Sequence, residues 1–448
     1  MKRRQFLKTA AATGITAPFL LPSGRLFATT GNPPLAEHVV FVLFAGGVRQ
    51  QEAMEQRYLS GAQNLDIPGN IMYNVLPGAP PETKIAYGTL SADGAPGGQP
   101  IAPLLPTTLS EQGTLFPEVR VNVGGTGHYG GLVRGVCGNV GSTQGLRQRP
   151  TNPTVFEYAR RFMGLDATDV WFVGNGIGNS TPLLNHSVHP DFGRRYGANF
   201  FAPVVTFGDQ GTNHLQHFKV YHPEEQLEPI REMRAFLNHN FVQSTGELPH
   251  LWNTDDEKDR IKEFVKQTFA RRDSGELFMP PVADNGDGIA IGYATEVLRY
   301  FKPKLTVINM SAVDTCHDSY TGYLQALHRA DHALGFLWKT IQEQIPEMAN
   351  NTVLLAMPEH GRNLQPNGIL DENDWLAFDH DGDANSRRMF ALMAGPNVPA
   401  NLRLGGPDNP VGTACDLMPT IAEILGMKQD VQQAGFLAGS AMSLFDRI

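Results

Sequence analysis

The fold class this sequence predicts is α/β: a mostly parallel central sheet with helices on both faces and loop-rich insertions. Apolar runs short enough for strands alternate with longer amphipathic stretches, the signature of strand-helix-strand units. Runs such as "VVFVLF" and "TVLLAM" are continuously apolar, as strands buried on both faces must be. Polar residues capable of chemistry follow these runs directly, at the strand ends where open α/β sheets bind ligands.

The amino terminus stands apart. "MKRRQFLKTAAATGITAPFLLPSGRLFA" carries Arg3 and Arg4, then Phe6, Leu7 and Lys8, then a modestly apolar stretch. It resembles a bacterial twin-arginine export signal. The expectation is a signal over residues 1–28, one domain over 29–448, and a periplasmic or secreted product handled by the twin-arginine machinery. Gly14 and Pro18 break a stretch already too short to span a bilayer, so no membrane association is expected after cleavage.

"EHVVFVLFAGGVRQ" is a strand running into a glycine turn. Residues 62–118 are rich in Pro and Gly and read as a decorated loop with room for a short hairpin. "EVRVNVGGTGHYGGLVRGVCGN" is a second strand and turn feeding a helix. "NPTVFEYARRFMG" reads as an amphipathic helix capped by Asn152, followed by the strand "DVWFVGNG". The helical stretch "DEKDRIKEFVKQTFARR" precedes the strand "KLTVINM", the helix "YLQALHRADHALGFLWKTIQEQ" and the strand "NTVLLAM". "RRMFALMAGP" and the helix "DLMPTIAEILGM" close the chain.

The 448 residues, 41% hydrophobic and 18% charged, supply a sizeable core. A formal charge of -9, more acidic once the basic signal is removed, argues against nucleic acid or an anionic membrane as partner. Cys137, Cys316 and Cys415 are widely spaced and form no metal-type pair; buried thiols are expected.

Three strand-end clusters carry the chemistry. Asp314 and His317 lie three apart after "VINM", where a carboxylate and an imidazole can grip one divalent cation. Glu359, His360, Gly361 and Arg362 follow "LLAMP". His380 precedes "MFALMAGP"; with Asp381 and Asp383 it also reads as a solvated turn. His186, His189, His214 and His217 sit in mid-chain loops and read as surface or core histidines. Asp331 and His332 read as helix surface and packing, and Trp375 as a pocket wall or a packing residue.

In this order the islands resemble the alkaline phosphatase superfamily of phosphatases, sulfatases, phosphodiesterases and mutases. "DLMPTIAEILGM" and "GSAMSL" are similar to sulfatase segments. "FVLFAGGVRQQE" and "EHGRN" are similar to DUF1501-type sulfatase-like proteins, many of them twin-arginine exported. The resemblance implies a metal-dependent hydrolase of small-molecule phosphate or sulfate esters. Asp314, His317 and His380 would hold one cation, Glu359 and His360 a second. Zinc fits the imidazole donors best, with calcium, magnesium or manganese as alternatives. Arg362 would pair with substrate oxygens or form a surface salt bridge.

The sequence departs from that pattern. Ala45 stands where an Asp ligand is expected, and the nearest acid downstream, Glu52, is seven residues on. Glu359 replaces an Asp, and the Asp314–His317 spacing is one residue short. The nucleophile position falls in "NVGGTGHYGG", where Thr126 and His128 are the candidates. The competing expectation is a catalytically impaired relative that binds metal or ligand on the same fold.

Overall fold

In the computed structural model, residues 33–60, 65–81, 100–140, 148–174, 178–207 and 253–448 are described, together with the strand pieces Phe19–Leu20 and Leu26–Phe27. The rest of the expected signal, and His214 and His217, lie outside the described residues.

The eight strands of the main sheet are β1 (His38–Phe44), β2 (Gly113–Arg120), β3 (Val170–Gly174), β4 (Asn199–Phe201), β5 (Leu305–Met310), β6 (Thr352–Pro358), β7 (Arg388–Ala394) and β8 (Leu402–Arg403). Their order across the sheet is β8-β2-β7-β6-β1-β5-β3-β4. Only β7 runs against its neighbours, pairing antiparallel with both β6 and β2; the other pairings are parallel. The mostly parallel sheet is thus present, with one reversal.

Among the described residues the α-helices of seven residues or more are α1 (His128–Cys137), α2 (Val155–Met163), α3 (Asp255–Ser274), α4 (Gly286–Phe301), α5 (Tyr320–Gln344), α6 (Leu417–Ile424) and α7 (Lys428–Ala434). All seven residues of β1 are buried, and their alternation divides them between two cores. Val40, Val42 and Phe44 pack with Ile291 and Val297 of α4 and Leu324, Leu327 and Leu334 of α5. Val39, Phe41 and Leu43 face the opposite way, onto Leu132 of α1, Phe156 of α2 and Ile421 of α6. A strand apolar at every position therefore serves two layers at once.

Several boundaries differ from expectation. The second strand begins at Gly113, inside the stretch expected to be loop, and a separate hairpin joins Arg57–Ser60 to Leu65–Pro68. α2 is capped by Thr154, not Asn152. Thr154 accepts from Glu157 N while the Glu157 carboxylate takes the Thr154 N–H, a capping box that Asn152 is too far back to make. Asp331 is buried rather than on the helix surface, and it accepts the Asn74 and Val75 backbone N–H groups. His332 is buried as well. Trp375 packs beside Tyr320, ring centroids 6.0 Å apart. The three cysteines are buried and unbridged. Among the described residues no helix is long and apolar enough to cross a membrane.

Register brings the strand ends together. Phe44 of β1 pairs with Met310 of β5 on one side and Pro358 of β6 on the other, so these three strands stop at one level. β7, being antiparallel, begins at that level instead of ending there. The segments after β1, β5 and β6 and the segment before β7 therefore meet on one edge.

Candidate metal centre

The cluster residues arrive from four segments of the chain. Asp314 and His317 belong to a short 3-10 turn, Ala312–His317, directly after β5. Glu359 and His360 follow β6 without a gap. His128 is the first residue of α1, which the chain enters after β2. His380 comes from the long loop between β6 and β7. The β1 turn admits them closely. Gly46 and Gly47 both have positive φ, and a Cβ on either would strike Asp314 or the His360 ring.

His128 stands at the centre. Its Nδ1 lies 2.7 Å from Glu359 Oε1, and its Nε2 lies 3.1 Å from Asp314 Oδ1. The same Nε2 is 3.4 Å from His317 Nε2, and the same Nδ1 is 3.2 Å from His360 Nε2. His380 completes the group, with ring centroids 4.3 Å from His128, 4.9 Å from His317 and 4.2 Å from His360. Two sets of donor atoms, His128–His317–His380 and His128–Glu359–His360, each fall within 4.8 Å of one another. Both sets use His128.

Tautomers follow from the outer contacts. His360 Nδ1 donates to Gly361 O at 2.7 Å, which leaves Nε2 as the lone-pair nitrogen facing the cluster. His317 Nδ1 is 2.6 Å from Asp379 Oδ1, which leaves its Nε2 facing Asp314 and His128 in the same way. Asp379 was not singled out in the sequence. An acid immediately before His380 was the available signal, but in "FDHDGD" it looks like one more solvated loop carboxylate.

Electrostatics show what the cluster asks for. Burial opposes a charge on His128, but hydrogen bonds to Asp314 and Glu359 push its pKa up to about 9. Burial would raise the Asp314 and Glu359 carboxyls; their bonds to the imidazoles prevail and hold both well below the usual range. A protonated His128 thus sits between two carboxylates as a cation. His380 is the opposite case: burial, then the neighbouring imidazoles and Arg362, press its pKa down to about 3, so it stays neutral. Glu359 Oε2 and His380 Nδ1 are buried with no hydrogen-bond partner among the described residues. Neutral His360 and His380, a His128 that a cation would have to deprotonate, ionised carboxylates and two buried atoms without a partner form a donor set that fits a borderline divalent cation such as zinc.

Other expected site residues fall elsewhere. Arg362 is fully buried rather than on the surface. It donates to Gly46 O, to Phe378 O at 2.8 Å and to Asp314 Oδ1 at 2.9 Å, so the protein itself occupies its guanidinium. It braces the β1 turn against Asp314. Thr126 is buried two residues before α1, and among the described residues no hydrogen bond joins its hydroxyl to the cluster. Ala45 packs into the core under α1. The backbone N–H of Gly46, next in line, hydrogen-bonds Glu359 Oε1. Glu52 does not stand in for the missing acid; it pairs with Arg49 at 2.6 Å and accepts from Tyr320 Oη at 2.9 Å. His186 is tied to its neighbour's carbonyl, Ser187 O, and His189 packs on Phe192 and Phe436.

No family model matches the chain. No curated protein matches it either. Solved structures do. A protein in the alkaline phosphatase superfamily from Vibrio parahaemolyticus is 12% identical, with 95% of this chain and 76% of that chain covered and a TM-score of 0.41. A lipoteichoic acid synthase from Listeria monocytogenes is 12% identical over 98% and 80%, at 0.42. The phosphonate monoester hydrolase of Agrobacterium radiobacter is 10% identical over 87% and 74%, at 0.41. With TM-scores below 0.5, the chemistry has to be read from the cluster itself.

Proposed function

We propose that this is an exported, metal-dependent hydrolase of small phosphate or sulfate esters, working with one tightly held divalent cation. The observation that carries the reading is the convergence of His128, His317 and His380, with Asp314 beside them, at the end of a parallel sheet. Glu359 and His360 supply a second set, but that set needs the other nitrogen of the same His128 ring. Holding two cations at once would require His128 to give up both of its protons, so one cation is the expected resting state.

When bound, the cation would polarise an ester oxygen and lower the pKa of a coordinated water. The chain supplies the remainder. His128 opens α1, whose N-terminal end favours the anionic group of a substrate. Asp379 fixes the His317 ring, and Arg362 fixes the Asp314 carboxylate. His128 would offer Nε2 to the cation while its Nδ1–H stays hydrogen-bonded to Glu359, so the proton moved in the reaction would be that of the coordinated water. Thr126 lacks contact with the cluster and His128 would be a ligand, so this reading takes water held beside His128 as the nucleophile in place of either side chain.

The second reading, a metal-binding relative without turnover, has its own support: Ala45 in place of an acid, and Arg362 already neutralising Asp314. Chromogenic phosphate and sulfate mono- and diesters, assayed with zinc, manganese, magnesium and calcium, separate the two. The hydrolase reading requires turnover that depends on added metal and drops about a hundredfold or more in His128→Ala, which removes the ligand common to both donor sets. Tight zinc binding with no turnover on any ester would leave the non-catalytic relative.

A further inference from the structure

A second depression lies beside α2, away from the histidine cluster, and it is basic. Its volume is about 720 Å³, and Arg149, Arg161, Arg194 and Arg195 line it, with Asp191 the one acid. That volume suits a small molecule. Four guanidinium groups around one hollow are unexpected in a chain whose formal charge is -9.

Two of the arginines, Arg161 and Arg195, lie on aromatic rings, contacts that leave their charge uncancelled. Arg149 Nη1 donates to Leu183 O at 3.1 Å and to Asn185 Oδ1 at 2.7 Å. Arg161 lies over the Phe192 ring, 4.3 Å from its centroid, and donates to the Asp191 backbone carbonyl at 2.6 Å. Arg195 lies 5.3 Å from the Tyr196 centroid. Among the described residues, none of Arg161, Arg194 and Arg195 has a carboxylate partner. Burial, and then the nearby charge of Arg194, press the Arg149 pKa down to about 10, so the like charges are close enough to oppose one another. A guanidinium spread over a ring keeps its N–H edge for other acceptors, and that fork matches the oxygens of phosphate or sulfate.

We propose that this hollow is a binding site for a tetrahedral oxyanion, a phosphate or sulfate group that is free or carried by a small ester. The anion supplies a counter-charge to Arg161, Arg194 and Arg195 and accepts from two or more of these guanidiniums. The site shares no residue with the histidine cluster, and the inference stands whether or not the cluster hydrolyses esters.

Calorimetric titration of the full chain at low ionic strength tests it, with inorganic phosphate, inorganic sulfate and a sulfated monosaccharide as probes. At least one probe should bind in the millimolar range or tighter. The double variant Arg194→Gln/Arg195→Gln should weaken that binding about tenfold or more, as loss of charge-assisted forks does. Arg195→Gln alone, at an exposed position, should weaken it severalfold and guards against misfolding of the double variant. His380→Ala should leave it unchanged. Tighter binding of the sulfated sugar than of free sulfate would assign the site to esters, and equal binding to the free ion; both support it. The proposal is overturned if no probe binds, if the arginine variants bind like wild type, or if binding disappears only in His380→Ala.

Discussion

His128 is the residue on which the cluster turns, and its charge makes a prediction with a definite sign. In the metal-free protein its pKa is raised from 6.5 to about 9 by Asp314 and Glu359, against the opposing effect of burial. A group with a raised folded-state pKa contributes stability that is complete below its ordinary value and disappears as pH rises through the folded one. Metal-free wild type should therefore lose thermal stability between about pH 7 and pH 9, and His128→Ala should lose less over the same range. A pH series of melting temperatures in chelator decides it, and parallel curves would remove His128 from the centre of the network. Zinc needs the same nitrogen unprotonated, so its affinity should strengthen over the interval in which the metal-free form weakens. Asp314, His317, Glu359, His360 and His380 were legible because each follows or precedes an apolar run. The sharing of one imidazole was not, because which ring nitrogen faces which carboxylate is a three-dimensional fact. Arg362 could be read as reactive for the same reason: its charge is visible in sequence, but its burial and its carbonyl partners are not.

At the scale of elements, the site depends on how closely α1 approaches the end of β6. Gly131, one turn into α1, would place a Cβ 2.8 Å from Glu359 O and 2.9 Å from its Cβ. Backbone cannot yield there as a flexible side chain can, so Gly131→Ala should push the helix and His128 away from Glu359. The expected outcome is a loss of bound zinc on elemental analysis, with destabilisation of about 1–3 kcal/mol, the cost of overpacking. Unchanged zinc content in a folded Gly131→Ala protein would contradict that coupling. Thr154→Ala, which removes the α2 cap, should cost about 1 kcal/mol in urea unfolding and leave zinc content unchanged. The strand and helix alternation was readable from apolar runs. Two features escaped it. α4, Gly286–Phe301, has two glycines in its first turn and an almost continuously buried face, which hides the amphipathic period. The direction of β7 cannot be read from its own apolar run. Only its pairing partners set it, yet that reversal is what delivers His380 to the edge where β1, β5 and β6 end.

For the whole molecule, the consequence is cooperativity between metal and fold. The donors come from segments as far apart as His128 and His380, entering from three different connections of one sheet. Both donor sets need His128 from far upstream, so a cation that binds the folded cluster has little comparable site in the unfolded chain. Twin-arginine transport carries folded cargo, which fits a centre assembled only on folding. Replacing Arg3 and Arg4 with lysine should leave the precursor in the cytoplasm, read by fractionation, and undiminished periplasmic protein would remove that route. The stability gain from metal is bounded by mass action, about 2.7 kcal/mol at a hundredfold excess over the dissociation constant. In a domain of this length that amounts to a rise of about 2–4 °C or less. Zinc titrated into chelator-stripped wild type should raise the melting temperature by that order and saturate near one equivalent. His317→Ala and His380→Ala, which remove donors without touching β1, β5 or β6, should fold and show almost no zinc response. If both variants respond as wild type does, the cation is bound elsewhere and the cluster is a histidine–carboxylate network that holds the sheet edge together by itself. If wild type takes up two equivalents with equal affinity, His128 is shared between two cations after all.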